Sequence, residues 1–160
     1  MSESSVPFLP FSNLHERHYV SALKMFQDSP IVGIGTNIFR FQCEKEQFQY
    51  KPGSCTTHPH NYYIQVLAEL GIIGFIFIMS FFGYFLYVGM RELYFIFACK
   101  RDKTIPFEQF LFFIIILVYW WPLIPHMSLY NNWNNVLKML PLGYLLRYLS
   151  IKKTKTNGYI

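Results

Sequence analysis

From Leu70 to Met90 the chain runs for 21 residues without an aspartate, glutamate, lysine or arginine. A run of that length has few ways to fold. As a helix it rises about 1.5 Å per residue, enough to cross a bilayer core of roughly 30 Å. The alternative is burial in a large soluble core, and composition argues against it. The 160 residues are 52% hydrophobic and 14% charged, where soluble domains average about 25% charge. The deficit lies in the second half.

Three membrane spans are predicted, at about 62–90, 107–124 and 133–151. Gly71, Gly74, Gly83 and Gly89 in the first would let neighbouring helices approach closely. In the second, Phe110 to Val118 is wholly apolar, and Trp120, Trp121 and Pro122 suit the headgroup layer. The third is weaker, because it holds Lys138, Pro141 and Arg147; both charges lie near its ends, where they can snorkel. The expected fold is therefore all-α: a fragment of an integral membrane helical bundle. Residues 1–60 form a segment outside the membrane, 61–151 the transmembrane region and 152–160 a basic tail.

The net charge of +5 sits at the ends of apolar segments, so it reads as membrane topology and not as nucleic-acid binding. Arg91, Lys100, Arg101 and Lys103 in the loop 91–103 and Lys152, Lys153 and Lys155 in the tail face a loop 125–132 that has no Lys or Arg. Positive-inside logic places the first two in the cytoplasm and 125–132, with residues 1–60, on the opposite face. Five Lys/Arg within 1–60 weaken that orientation without reversing it. Residues 1–15 lack the basic start and apolar core of a cleavable signal peptide.

Before the first span, residues 1–14 read as loose. A short amphipathic helix is expected from Glu16 to Gln27, with Tyr19, Leu23 and Phe26 at helical spacing and Asp28-Ser29-Pro30 ending it. Arg17 near its start is disfavoured by the helix dipole; it is either a solvated surface residue or one with a task. Gly33-x-Gly35 has no strand before it and no third glycine, so it reads as a tight turn or close backbone packing and not a phosphate loop. Pro52-Gly53 marks another turn.

The chemistry-bearing residues stand at the head of the first span. Asn61, Gln65 and Glu69 are four apart, on one helical face. His58 and His60 flank Pro59, and proline suits a first helical position. His60 is then expected in the first turn, where the positive helix end keeps its imidazole neutral and able to accept a hydroxyl proton. The plain alternative is a pair of interfacial histidines. Glu69 is either a structural hydrogen-bonding group or part of a polar cleft, since a carboxylate at that depth must face protein or water. Cys43 and Cys55 are open between free thiols and a disulfide, the latter if this part lies outside the cytoplasm, with Cys99 reduced. A zinc site from Cys43, Cys55, His58 and His60 has the right residue types but not a known spacing. No Gly-x-Ser-x-Gly elbow supports a serine triad.

The string His60-Asn61-x-Tyr63-Ile64-Gln65-x-Leu67-Ala68-Glu69-x-Gly71-x-x-Gly74 resembles the signature of the O-antigen ligase and O-antigen polymerase superfamily. Upstream, Arg17 followed by Ala22, Met25-Phe26, Pro30, Gly33-x-Gly35 and Phe39 is similar to that family's large periplasmic loop. Downstream, Trp121-Pro122 through Asn131-Asn132-Trp133 is similar to a later short loop. The resemblance covers about residues 15–150 and implies a bacterial inner-membrane, multi-pass glycosyltransferase of lipopolysaccharide biosynthesis that uses no metal or other cofactor. It would move a glycan from undecaprenyl diphosphate to an acceptor hydroxyl: on lipid A-core for a ligase, on another repeat unit for a polymerase. It also implies roles: His60 as the catalytic base, Arg17 on the diphosphate, and His58, Asn61 and Glu69 in substrate binding. Family members are several hundred residues long, so this chain corresponds to their carboxy-terminal part: a partial gene product, a truncated reading frame, or half of a split protein whose other chain supplies the missing helices. A non-catalytic membrane subunit that binds lipid-linked sugar is the competing expectation.

Overall fold

A computed structural model describes residues 12–99 and 105–157 of the chain. Of the stretch 1–14 expected to be loose, residues 1–11 lie outside the described residues and 13–14 are helical; Lys100, Arg101 and Lys103 of the 91–103 loop and the side chains of the tail lysines also lie outside them. All regular structure among the described residues is helical: α1 Asn13–Asp28, α2 Phe39–Gln42, α3 Tyr62–Phe97, α4 Phe107–Tyr119 and α5 Asn132–Asn157. The chain divides into two compact units. One is built from the residues up to Ile76 with Ile124–Leu129, the other from Phe77–Leu123 and Tyr130 onward.

In the first unit, α1 starts where Ser12 caps it, the hydroxyl accepting from His15 N–H, as serine does at helix starts. It ends at Ser29, before Pro30. Its inward face, His18, Ala22 and Met25, follows the helical repeat. Ala22 and Met25 pack with Phe39, Cys43, Phe48 and Ala68 in a small core. Other α1 side chains grip the loop 48–54 by its carbonyls: Ser21 Oγ donates to Phe48 O (2.9 Å), Lys24 Nζ to Gln49 O (2.8 Å) and Arg17 Nη1 to Pro52 O (2.8 Å). A disulfide joins Cys43 and Cys55, with the Cα atoms 4.9 Å apart. The two thiolates are thus consumed, and the zinc alternative loses half its ligands; no group of three or more His, Cys, Asp or Glu side chains among the described residues is placed to hold a metal.

Helix α3 is not the uninterrupted rod expected from the sequence. Gly71 has φ 64° and ψ −163°, a conformation essentially closed to other residues. In an unbroken helix Ala68 O and Glu69 O would accept from Ile72 and Ile73. Here they accept from Ile34 N–H and Gly35 N–H, both at 3.0 Å. Ile72 and Ile73 N–H turn instead to Pro30 O (2.9 Å) and Ile31 O (3.4 Å). The segment 30–35 is spliced into the helix ladder, and every displaced backbone group is satisfied. Both glycine positions are steric necessities. A Cβ on Gly33 would strike the backbone of Glu69 and Leu70, and one on Gly71 the Ile31 carbonyl. The Gly33-x-Gly35 pair is thus close backbone packing, as its sequence suggested.

By length and composition, α3 is the one helix among the described residues able to cross a membrane, and only 28% of its most apolar window is buried within the chain. Helix α4 is apolar but has 13 residues, about 20 Å of helix, short of a full span. Helix α5 is long enough yet falls short on hydropathy; three spans are therefore more than the helices themselves support. In the second unit, Phe82, Phe85 and Val88 pack with Phe113, Ile116, Trp120, Leu142 and Leu145. Of the four α3 glycines, Gly89 serves close helix approach, lying under the Phe113 ring, while Gly83 has open space around it. Lys138 does not snorkel. It is 1% exposed, with its ammonium 5.9 Å from the Trp120 ring centroid, and Trp120 itself is buried while Trp121 is the exposed one.

Candidate active site

The helix of the polar stripe begins at Tyr62, three residues later than Pro59 suggested. Asn61 Oδ1 accepts from the N–H of Tyr63 (3.0 Å) and Ile64 (3.2 Å), the arrangement of a strong N-cap. His60 consequently lies before the helix, not in its first turn, and has φ 59°. That left-handed conformation is uncommon for a residue with a Cβ, and it is held by a bond from His126 N–H to His60 O (2.7 Å). It sends the imidazole back toward α1.

Four of the five histidines bring their rings together here, and the fifth, His126, reaches His60 through its backbone N–H. Ring centroids of His58, His15 and His18 lie 4.2, 5.6 and 5.6 Å from that of His60. The ring of His126 stacks on Tyr62 at 4.3 Å. His18 Nδ1 is 3.1 Å from Ser54 O. A carbonyl only accepts, so that nitrogen carries the proton. Burial is the main cause lowering the His60 pKa, with the charges of His18 and His15 adding to it. Burial and then the His60 charge hold His58 down at about 4. Both imidazoles are therefore neutral at pH 7, and protonating one makes protonating its neighbour harder. His58 is 6% exposed, whereas His60 keeps part of its surface open. A neutral, partly open imidazole can take a proton from a hydroxyl at the surface.

Arg17 stands between His15 and His18 in the sequence of α1, and its guanidinium donates to the Pro52 carbonyl of the turn (2.8 Å). Glu69 is fully buried. Its carboxylate accepts from Phe39 N–H at the start of α2 (2.9 Å) and from Gln65 Nε2 (3.2 Å). Gln65 in turn reaches Ser128 Oγ (3.3 Å) and accepts from Leu129 N–H (3.0 Å). Having no surface of its own, Glu69 acts on the site only through these bonds. Asn61, 4% exposed, acts through the cap. The sequence reading put Asn61, Gln65 and Glu69 on one face, and the structure shows that face turned inward as a brace. What the reading passed over is His15 and His18. Their i, i+3 spacing was the available signal, but His15 precedes the expected helix start at Glu16, and only α1 beginning at Asn13 puts both imidazoles on one side of a helix.

Comparison with known proteins gives one family match: residues 13–79 fit the family described as O-antigen ligase. The matched stretch covers α1, α2 and the start of α3, and so holds four of the five histidines, Arg17 and the splice. No curated protein and no solved structure matches the chain.

Proposed function

Over residues 13–79 this chain is O-antigen ligase family sequence, and from that premise we propose that it carries the catalytic end of a membrane glycosyltransferase, moving a glycan from undecaprenyl diphosphate to an acceptor hydroxyl on lipid A-core. His60 takes the acceptor proton. The freed oxygen attacks the anomeric carbon of the glycan, and the bond from that carbon to the diphosphate oxygen breaks, its electron pair leaving with the lipid diphosphate. Arg17 meets the charge on the leaving group through paired, charge-assisted hydrogen bonds. His58 packs against the base and keeps its surroundings dry, while Asn61 and Glu69 position it through the cap and the brace. The observation that carries this reading is the His60 imidazole: neutral, partly open, aimed off the helix axis and packed on the helix that holds Arg17.

In this reading the first unit faces the periplasm at the bacterial inner membrane. The Cys43–Cys55 disulfide supports that side, since such bonds persist in oxidising compartments, and the charge asymmetry of the loops agrees with it. The test is transfer of a lipid-linked glycan by the purified chain, with and without EDTA, against His60→Ala. Transfer that survives EDTA and is lost in the variant is expected; full activity in the variant would remove His60 from the reaction. A second reading, a non-catalytic subunit for a multi-span partner, draws on the exposed apolar surface of α3, such as Ile73, Ile76 and Phe77. It predicts no transfer by the chain alone and stable co-purification with that partner. A polymerase would differ only in accepting another lipid-linked repeat unit.

A further inference from the structure

The second unit contains a cleft that the transfer reaction does not use. It encloses about 320 Å³ and is lined by Gln109 of α4 and by Tyr144, Arg147, Tyr148 and Ile151 of α5. The α5 residues recur at three- and four-residue intervals, so they form one face of that helix. Gln109 is near the start of α4 and Arg147 near the end of α5, so the two helices meet here in antiparallel fashion. We propose that this cleft binds the phosphate of an anionic, hydroxyl-bearing phospholipid headgroup of the phosphatidylglycerol kind.

Three observations carry the proposal. Arg147 is exposed at the cleft, and no carboxylate among the described residues is within ion-pair distance of it. A guanidinium without a counter-charge at a membrane boundary favours a phosphate, which it can hold through two parallel hydrogen bonds. Next, Gln109 Oε1 is buried and without a hydrogen-bond partner, a costly state for an amide oxygen. It is an acceptor, so it suits a hydroxyl donor on the ligand and not a second phosphate oxygen. The tyrosine hydroxyls can donate to the remaining phosphate oxygens. Last, the surroundings fit a lipid. Helix α4 continues from Gln109 into an apolar run whose Leu111, Ile114 and Ile115 are exposed, and Lys152, Lys153 and Lys155 follow Arg147 in the sequence of α5. Basic residues in such a position draw anionic lipid to the site. A cavity of this size lies at the lower end of small-molecule sites, roughly 300–1,000 Å³. It takes a headgroup and leaves the acyl chains along the helix.

The proposal rests on membrane residence and not on glycan transfer, so it stands if the chain proves inactive. The test is native mass spectrometry of the full chain in detergent, titrated with phosphatidylglycerol, phosphatidylcholine and inorganic phosphate. Phosphatidylglycerol adducts are expected to exceed phosphatidylcholine adducts at least fivefold, and Arg147→Gln to remove most of that preference. Gln109→Leu is expected to reduce it as well, while leaving binding of phosphatidic acid, which lacks the headgroup hydroxyl. Lys45→Gln, an exposed residue of the first unit, is expected to retain most of it. Equal adducts for the two lipids, or an undiminished preference in a folded Arg147→Gln, overturn the proposal. Displacement of the lipid by millimolar inorganic phosphate overturns its assignment to a lipid headgroup.

Discussion

Replacing Gly71 by alanine is expected to convert the spliced helix into a straight one. The spliced form has four backbone hydrogen bonds, Ile34 and Gly35 to the carbonyls of Ala68 and Glu69, and Ile72 and Ile73 to those of Pro30 and Ile31. A straight α3 would have two, 72 to 68 and 73 to 69, with the loop groups returned to water. The net difference is two bonds, about 2 kcal/mol in favour of the splice. Side-chain burial in the loop adds little at Ile31 and Val32, which are 63% and 64% exposed. Against this, alanine at φ 64°, ψ −163° costs roughly 1–3 kcal/mol in strain and gains about 1 kcal/mol over glycine in a regular helix. The shift of roughly 2–4 kcal/mol matches or exceeds the margin. Residue-resolved amide exchange reads the outcome. Ile34 and Gly35 are expected to lose protection by an order of magnitude or more, while Ile72 and Ile73 keep theirs because each finds a helical partner. Unchanged protection at 34 and 35 would refute the energetic comparison. Loss at all four amides would refute the exchange of partners, since it would mean that the helix itself had melted.

Three further outcomes follow from the same geometry. The left-handed backbone at His60 makes His60→Gly more stable than His60→Ala by about 1 kcal/mol in denaturant titration, although both lack the imidazole; equal stabilities would mean that the backbone there is not strained. His58 binds its proton at about 4 when folded and near 6.5 when unfolded, so between these values the unfolded chain holds more protons. Stability is therefore complete above pH 6.5 and falls as the pH drops toward 4, by up to roughly 3 kcal/mol. His60 contributes in the same direction, and His58→Gln is expected to flatten the urea midpoint measured from pH 7.5 to 4.5. Reducing Cys43–Cys55, which closes a loop of sequence separation 12, is expected to cost the first unit about 3 kcal/mol on the chain-entropy account, read as a lower urea midpoint in dithiothreitol.

The sequence by itself determined the four longer helices, the apolar character of α3 and α4, the turn at Pro52-Gly53 and the placing of the histidine pair at the head of a helix. These are local signals: periodicity, uncharged length, cap and turn residues act within a few positions of one another. The start of α3 departs from the sequence expectation: Pro59 reads as the first helical residue, whereas Asn61 caps the helix. Tertiary structure alone decided the rest. The break at Gly71 exists because a loop some forty residues earlier supplies donors and acceptors equivalent to those of the helix, and no periodicity encodes that exchange. The choice between thiols and disulfide needed the 4.9 Å approach of two Cα atoms. Glu69 became a buried brace and His15 and His18 became neighbours of His60 for the same reason: which side of a helix faces another chain segment is fixed by packing between residues far apart in sequence, and a carboxylate or imidazole takes its chemistry from what it is packed against.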